Sequence, residues 1–489
     1  MDLVGEDRLL IDGELVAAEA GRTYDTVNPA TEEVLGTAPG ASVGDAERSI
    51  AAARRAFETT EWSQDPTFRM RCLGQLHEAL TKDLERLRAV LVNEVGAPVS
   101  STSGPQLGGP IDVVRWYADL LEAYEFVEDL GERDTFAGRH HRWIEKEAAG
   151  VVGAITAYNY PIQLALAKLA PALAAGCTVV LKGAPDAPWS TLALGRLVAE
   201  STDIPDGVVN VLASPEAAVG AVLTTHPDVD VVSFTGSTPV GRQIMAAASE
   251  TVKRVFLELG GKSALVLLDD GDPAMAALMA SYATVSHSGQ GCAITSRLVV
   301  PRARFDEVVD AARAMLADVA YGDPQDPATM MGPLINARQR DKVAGYVDRA
   351  VADGADAVIG GRAPEHLRRG FFYEPTLLVG AGEDSAVAQD ELFGPVLVVL
   401  PHDGDDDAVR IANRSIYGLS GSVMSADRDR ALAVARRIRA GTISVNGGLW
   451  YGPDAPFGGY KQSGMGREMG EAGLDEFLER KTLAEPAAP

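Results

Sequence analysis

The sequence predicts an α/β protein of two large lobes plus a smaller element, on three observations. Apolar, β-branched runs alternate with helical stretches between residues 150 and 259, and a second alternating block covers 263–445. Runs of that kind are parallel strands covered by helices on both faces. A chain of 489 residues also exceeds what one hydrophobic core organises.

From the start of the chain, residues 9–16 read as a short strand pair around Asp12-Gly13. A helix fills 44–59, and another begins at the cap-and-proline pair Asp65-Pro66 and runs to about 94. Residues 110–126 read as helical, and 139–146 are more polar and strand-like. The apolar run 150–156 then opens the first alternation. It continues as helix 162–175, strand 177–182, helix 188–201, strand 208–212, helix 215–225, strand 229–235, helix 239–249 and a strand near 255–259. Ligands of parallel sheets sit at the carboxyl ends of the strands, and Lys182, Gly236 and Glu258 all fall at such ends. The second block, beginning near 260, carries helices near 272–285, 304–318, 336–353 and 427–438 with strands between them.

Composition removes several classes of function. The formal net charge is −25, whereas binding a phosphate backbone needs clustered Lys and Arg, so nucleic acid is not an expected partner. Only Cys72, Cys177 and Cys292 occur, which is no disulfide framework and fits a reducing cytoplasm. The acidic, mixed opening MDLVGEDRLLIDGELV is unlike a targeting leader. No run approaches the ~18 apolar residues a membrane helix needs. Seven histidines show no metal-binding pattern, so no metal is expected, and His287, near Cys292, reads as structural.

Chemistry concentrates in a few segments. Cys292 lies in Ser-Gly-Gln-Gly-Cys-Ala-Ile, where glycines flank Gln290 and one directly precedes the sulfur. Backbone N–H groups of such a turn can lower a thiol pKa or hold an oxyanion, although a free cysteine is more often a small buried hydrophobe. Glu258 is embedded in the apolar run Val-Phe-Leu-Glu-Leu. Burial raises a carboxyl pKa toward the range of a general base; the alternative is a buried ion pair, with Lys262 as the nearby partner. Phe-Thr-Gly-Ser-Thr-Pro-Val-Gly at 234–241 joins a strand to a helix and can present N–H groups to an anion, or be an ordinary capped turn. Asn159, in Asn-Tyr-Pro, is a helix cap or an oxyanion donor. Lys182 can bond a cofactor hydroxyl or simply end a strand.

Taken together, these segments resemble the aldehyde dehydrogenase superfamily over nearly the whole chain. Its landmarks occur in order: Asn-Tyr-Pro at 159–161, Phe-Thr-Gly-Ser-Thr at 234–238, Leu-Glu-Leu-Gly-Gly-Lys at 257–262 and Gly-Gln-Gly-Cys at 289–292. Glu-Leu-Phe-Gly-Pro at 391–395 and Pro-Phe-Gly-Gly-Tyr-Lys-Gln-Ser-Gly at 456–464 complete the series. The resemblance implies an aldehyde dehydrogenase-like α/β fold: two Rossmann-like lobes with a small β oligomerisation element. It assigns 1–129 and 149–259 to a cofactor-binding domain, 260–469 to a catalytic domain, and 130–148 with 470–489 to a bridging segment of a homodimer or homotetramer.

The same resemblance implies NAD(P)-dependent oxidation of a small-molecule aldehyde to an acid. Cys292 is then the nucleophile, Glu258 the base that activates water, and Asn159 with the Cys292 N–H the oxyanion hole. Lys182 bonds the adenosine ribose, Gly236, Ser237 and Gly241 lie beside the pyrophosphate, and Thr156 and Leu259 belong to the cofactor site. Glu391 holds the nicotinamide ribose and Phe393 packs near the nicotinamide, while Lys168 and Glu468 match further positions linked to the active site. Two departures matter. Many relatives carry a glutamate three residues after the cofactor lysine; here Pro185 and then Asp186 stand there, so NAD is favoured and NADP stays open. Many also carry a tryptophan before Lys168, where this chain has Ala167. That widens a tunnel whose aromatic wall comes from Tyr160, Trp450, Tyr451 and Phe457, and points to a bulky apolar or aromatic aldehyde. The rival readings are a CoA-acylating semialdehyde dehydrogenase and a catalytically silent protein on the same scaffold. Retention of Glu258 counts against the first, and intact Cys292, Glu258 and Asn159 count against the second.

Overall fold

A computed structural model describes residues 5–487. Residues 1–4 and 488–489, the outer ends of the expected cofactor-binding and bridging segments, lie outside the described residues. The first alternation forms an eight-stranded sheet. Its five central strands are parallel, in the order Arg254–Glu258, Val231–Thr235, Val151–Ile155, Thr178–Gly183 and Val209–Ala213. The three middle ones are buried almost without break, as expected of Val- and Ile-rich strands covered on both faces. Leu9–Ile11 and Glu14–Val16 add an antiparallel pair at one edge.

Strand register lines up the chemistry. Ile155 pairs with Lys182 and Thr235 with Glu258, so these carboxyl ends stand side by side along one rim. At the other edge the sheet is completed from far along the chain, by Gly464–Met465 running antiparallel to Arg254–Glu258. Gly464 has φ of 133°, and a Cβ there would sit 2.0 Å from the Leu257 carbonyl oxygen, so only glycine permits this pairing.

The second block builds a seven-stranded sheet in the order Asp356–Ile359, Thr376–Val379, Val396–His402, Thr295–Pro301, Ser263–Leu267, Ser420–Met424 and Thr442–Val445. All neighbours are parallel except the first pair. A three-stranded antiparallel sheet stands apart from both: Leu478–Pro486, Gly138–Ala148 and Val127–Thr135. Its long strands bury little, and Phe136 at the hairpin tip is fully exposed.

Two expectations need correction, and one element was not foreseen. The stretch 66–94 is two helices, Pro66–Lys82 and Leu84–Glu94, because Asp83 leaves helical geometry at φ −91°, ψ 7°. The helix expected over 110–126 is Gly108–Leu120. An antiparallel pair, Thr23–Val27 with Val34–Pro39, had no counterpart in the sequence reading, since its residues mix polar and small types without strict alternation. Among the described residues no helix is long and apolar enough to cross a membrane.

Candidate active site

A cavity of about 390 Å³ opens at the carboxyl rim of the first sheet and is walled on the far side by the second block. Cys292 lines it, partly exposed. The chain reaches this position through helix Pro273–Val285 and a tight turn, in which His287, Ser288 and Gly289 all take left-handed φ angles of 46°, 57° and 74°. Two of these are not glycine, so the turn stores strain that its surroundings must hold. The Ser288 hydroxyl donates to the Gly332 carbonyl at 2.6 Å, and the Gln290 amide carbonyl accepts the Ile335 N–H at 3.0 Å. His287 is buried against the Tyr160 ring, 5.3 Å between centroids, and burial pushes its pKa down to about 4. It stays neutral.

Glu258 ends the strand Arg254–Glu258 and is 1% exposed. No N–H or O–H group donates to either carboxyl oxygen among the described residues; the Cys292 thiol is the hydrogen-bonding side chain that faces it, and Lys262 does not pair with it. Burial pushes its pKa well above the usual carboxylate range, and the charge of Glu468 adds to the rise while Lys168 opposes it. Lys168 and Glu468 form their own buried ion pair at 2.6 Å. The Cys292 thiol is also raised well above its ordinary value, by burial first and by Glu258 next. The resting sulfur is therefore a thiol, beside a carboxyl group whose raised pKa suits it to accept a proton.

Asn159 sits between strand Val151–Ile155 and helix Pro161–Ala175 and is 3% exposed. One hydrogen of its side-chain amide goes to the Gln290 carbonyl at 2.8 Å, and its own backbone carbonyl accepts from the Gln106 amide at 3.0 Å. This fixes the amide plane next to Cys292 and leaves the second hydrogen for the cavity. It does not cap the following helix, whose N-cap is Tyr160.

Further along the rim, Gly236, Ser237, Leu259, Glu391 and Phe393 line the same cavity. Ser237 starts helix Thr238–Ala248 without spending its hydroxyl on a cap. Gly241 lets that helix approach Leu259; a Cβ there would come within 2.7 Å of a leucine methyl. Glu391 accepts the Gly261 N–H at 3.0 Å, and burial raises its pKa to about 7. Phe393 has φ of 60° and meets the Tyr158 ring edge-on at 5.9 Å. Thr156, Lys182 and Gly241 do not touch the cavity but lie along the same rim. The Lys182 ammonium donates to the carbonyls of Gly183 and Ser214 at 3.3 and 3.2 Å, and burial lowers its pKa to about 8.

Tyr160, Trp450, Tyr451, Phe457 and Glu468 complete the wall, with the Trp450 and Phe457 rings stacked at 5.5 Å and 5°. Ala167 is misplaced by the sequence reading. It is 1% exposed inside the core, and the wall from its helix is made by Gln163 and Leu164 one turn earlier. Lys168 lies behind Glu468 rather than on the cavity surface. Sequence reasoning missed Pro105, Gln339 and Lys342. Pro105 sits in a Ser- and Gly-rich stretch without periodicity, whereas Gln339 and Lys342 stand one turn apart on helix Ala337–Ala352, a spacing that marks one face. Among the described residues no group of three or more His, Cys, Asp or Glu side chains is arranged to hold a metal ion.

Comparison with known proteins agrees with this geometry. The model of the aldehyde dehydrogenase family matches residues 15–483. The chain is 39% identical to 3-succinoylsemialdehyde-pyridine dehydrogenase of a Pseudomonas species, covering 97% of both chains. It is 36% identical to geranial dehydrogenase of Castellaniella defragrans, over 98% of this chain and 99% of the relative. Among solved structures, an alanine-for-cysteine mutant of Pseudomonas syringae aldehyde dehydrogenase C, complexed with NAD+ and octanal, superposes with a TM-score of 0.92 at 38% identity, covering 98% of this chain and 96% of that one. Betaine aldehyde dehydrogenase of Staphylococcus aureus, in complex with NAD+, gives 0.95 at 35% identity, covering 99% and 95%. With the family model matched over residues 15–483 and relatives similar over nearly their whole lengths, the chain belongs to the aldehyde dehydrogenase family.

Proposed function

We propose that this protein oxidises an aldehyde to the carboxylic acid with NAD+, through a thioester on Cys292. The observation that carries the reading is one cavity in which Cys292, Asn159 and Glu258 share a wall with Gly236, Ser237, Glu391 and Phe393. The rim fits a dinucleotide. Thr156 and Thr235 bury hydroxyls without partners among the described residues, Ser237 opens a helix whose N–H groups favour phosphate, and Lys182 and Glu391, each bonded only to backbone groups, can serve ribose hydroxyls. Asp186 keeps a carboxylate near the adenosine end, which disfavours a 2′-phosphate and so NADP. When bound, NAD+ supplies the hydride acceptor.

The chain's own residues do the rest. Cys292 gives its proton to Glu258 and attacks the aldehyde carbon, and the oxyanion is held by the Asn159 amide and the Cys292 N–H. Loss of hydride from this adduct leaves the thioester. Glu258 passes the thiol's proton to solvent and then takes a proton from water, whose oxygen attacks the acyl carbon. The departing thiolate takes that proton back from Glu258, so the acid leaves with the thiol restored. Lys168 and Glu468 act on Glu258 through their charges. Retention of Glu258 favours water over coenzyme A as the acyl acceptor.

We assign cofactor binding to 1–129 and 149–259, catalysis to 260–469 and subunit bridging to 130–148 with 470–489, in a cytoplasmic homodimer or homotetramer. The exposed three-stranded sheet and three unpaired cysteines support the last two points. Lys342 is the one cation among the described residues lining the cavity, and it stands on the cofactor side by Glu391. The acyl side is aromatic and apolar, which favours a bulky uncharged aldehyde over one with a carboxylate tail. The test is NADH formation across acetaldehyde, octanal, benzaldehyde and succinic semialdehyde. Octanal or benzaldehyde is expected to exceed acetaldehyde in kcat/KM by about 10–200-fold. Preference for acetaldehyde or the semialdehyde overturns the substrate class, and strict dependence on coenzyme A overturns hydrolysis. Asn159→Ala is expected to lower kcat by roughly 10²–10³-fold with little change in KM for the aldehyde. An unchanged kcat in steady-state assays removes it from the oxyanion hole.

A further inference from the structure

Asp186 and Asn336 come from different sheets and meet at the cofactor rim. Asp186 lies in the turn between strand Thr178–Gly183 and helix Pro188–Ser201. Asn336 is the N-cap of helix Ala337–Ala352, with its side-chain oxygen accepting the Gln339 N–H at 2.9 Å. Any good capping residue would serve that end of the side chain. Its amide end does something an aspartate cap could not do, donating to the Asp186 carboxylate at 2.8 Å.

The contact continues into the cavity. Gln339, one turn into the same helix, donates its amide to the carbonyls of Leu392 and Phe393 at 2.9 and 2.8 Å. Lys342, a further turn on, donates to the Glu391 carbonyl at 3.2 Å. Three consecutive carbonyls are thus held by one helix, and the held segment includes Phe393 in the left-handed region at φ 60°. An aromatic residue does not stay there unaided; the surroundings must over-determine it. The helix that supplies those bonds is itself tied to the first sheet by Asn336.

We propose that the Asp186–Asn336 hydrogen bond is a latch that sets the position of residues 391–393, making Asn336 a positioning residue for the nicotinamide end of the cofactor. The proposal rests on the reading above that Glu391 and Phe393 flank the nicotinamide riboside. Neither partner of the latch touches Cys292 or Glu258, so its effect falls on cofactor placement rather than on nucleophile or base.

The test uses Asn336→Asp, which keeps a good helix cap but replaces the donor with a second carboxylate facing Asp186. Asn336→Gly keeps a tolerated cap without the donor or the added charge. NAD+ affinity is read by quenching of intrinsic fluorescence, alongside steady-state kinetics and thermal unfolding. Loss of a hydrogen bond to a charged group is expected to weaken NAD+ binding about 10-fold in both variants, with KM for NAD+ following and KM for the aldehyde steady. Exchanging the pair, Asn336→Asp with Asp186→Asn, restores donor and acceptor in reverse order and is expected to bring affinity back to within about 3-fold of wild type. Folded single variants that bind NAD+ as wild type does, or an exchange that restores the unfolding midpoint but not affinity, overturn the latch while leaving the oxidation reading intact. Wild-type protein that does not bind NAD+ in the same titration overturns both.

Discussion

Cys292→Ala is expected to abolish aldehyde oxidation while leaving NAD+ binding and the fold in place. In the proposed reaction the sulfur is the nucleophile, sharing a cavity wall with the Asn159 amide and the Glu258 carboxyl, and a methyl group cannot form the covalent adduct that precedes hydride loss. Removing a nucleophile that works as a unit with its neighbours costs roughly 10⁴-fold or more in kcat. Because Cys292 is partly exposed at a cavity wall, truncating it opens little new void, and stability is expected to change by less than about 1 kcal/mol. Initial rates of NADH formation, an NAD+ titration and a thermal melt check the three parts together. Turnover within tenfold of wild type would sink the assignment of the nucleophile.

Glu258→Gln is expected to lower steady-state kcat by roughly 10²–10⁴-fold, the usual contribution of a positioned general base. The loss has a kinetic signature. Hydride leaves before water attacks, so a variant stalled at the thioester still releases a first equivalent of NADH when the thiol is ionised at alkaline pH. The pH profile carries a second signature. Burial, with Glu468 beside it, raises the Glu258 pKa, and only the deprotonated carboxylate works as a base. Wild-type kcat/KM is therefore expected to rise with pH through an apparent pKa above the ordinary carboxylate range, and that limb is expected to vanish in the glutamine variant. A limb unchanged by the substitution would mean that another group titrates.

How legible this was depended on the kind of signal. The parallel strands could be read because both faces are buried and the residues are β-branched, as in 178–183. Their carboxyl ends then placed Lys182 and Glu258 before any coordinates. The break at Asp83 could not be read, because an aspartate in mid-helix carries no strong stop signal, and its tertiary partner, Arg196, is more than a hundred residues away. Ala167 misled for a related reason. A gap relative to relatives says that a side chain is smaller, not how far along the helix the cavity reaches, and here its wall ends one turn earlier at Gln163 and Leu164. Gln339 and Lys342 act mainly through carbonyls 53 and 49 residues away, a relation that local pattern does not encode.

The short strand at Gly464–Met465 has a consequence for biosynthesis. Residues 254–258 leave the ribosome about two hundred residues before the segment that closes their open edge, so the nascent amino-terminal half carries an unpaired strand for much of translation. Contacts of such long sequence separation make folding slow, and an open edge invites pairing with other chains. A chain terminated before Gly464 would expose that edge permanently, and its fate is aggregation rather than a smaller working enzyme.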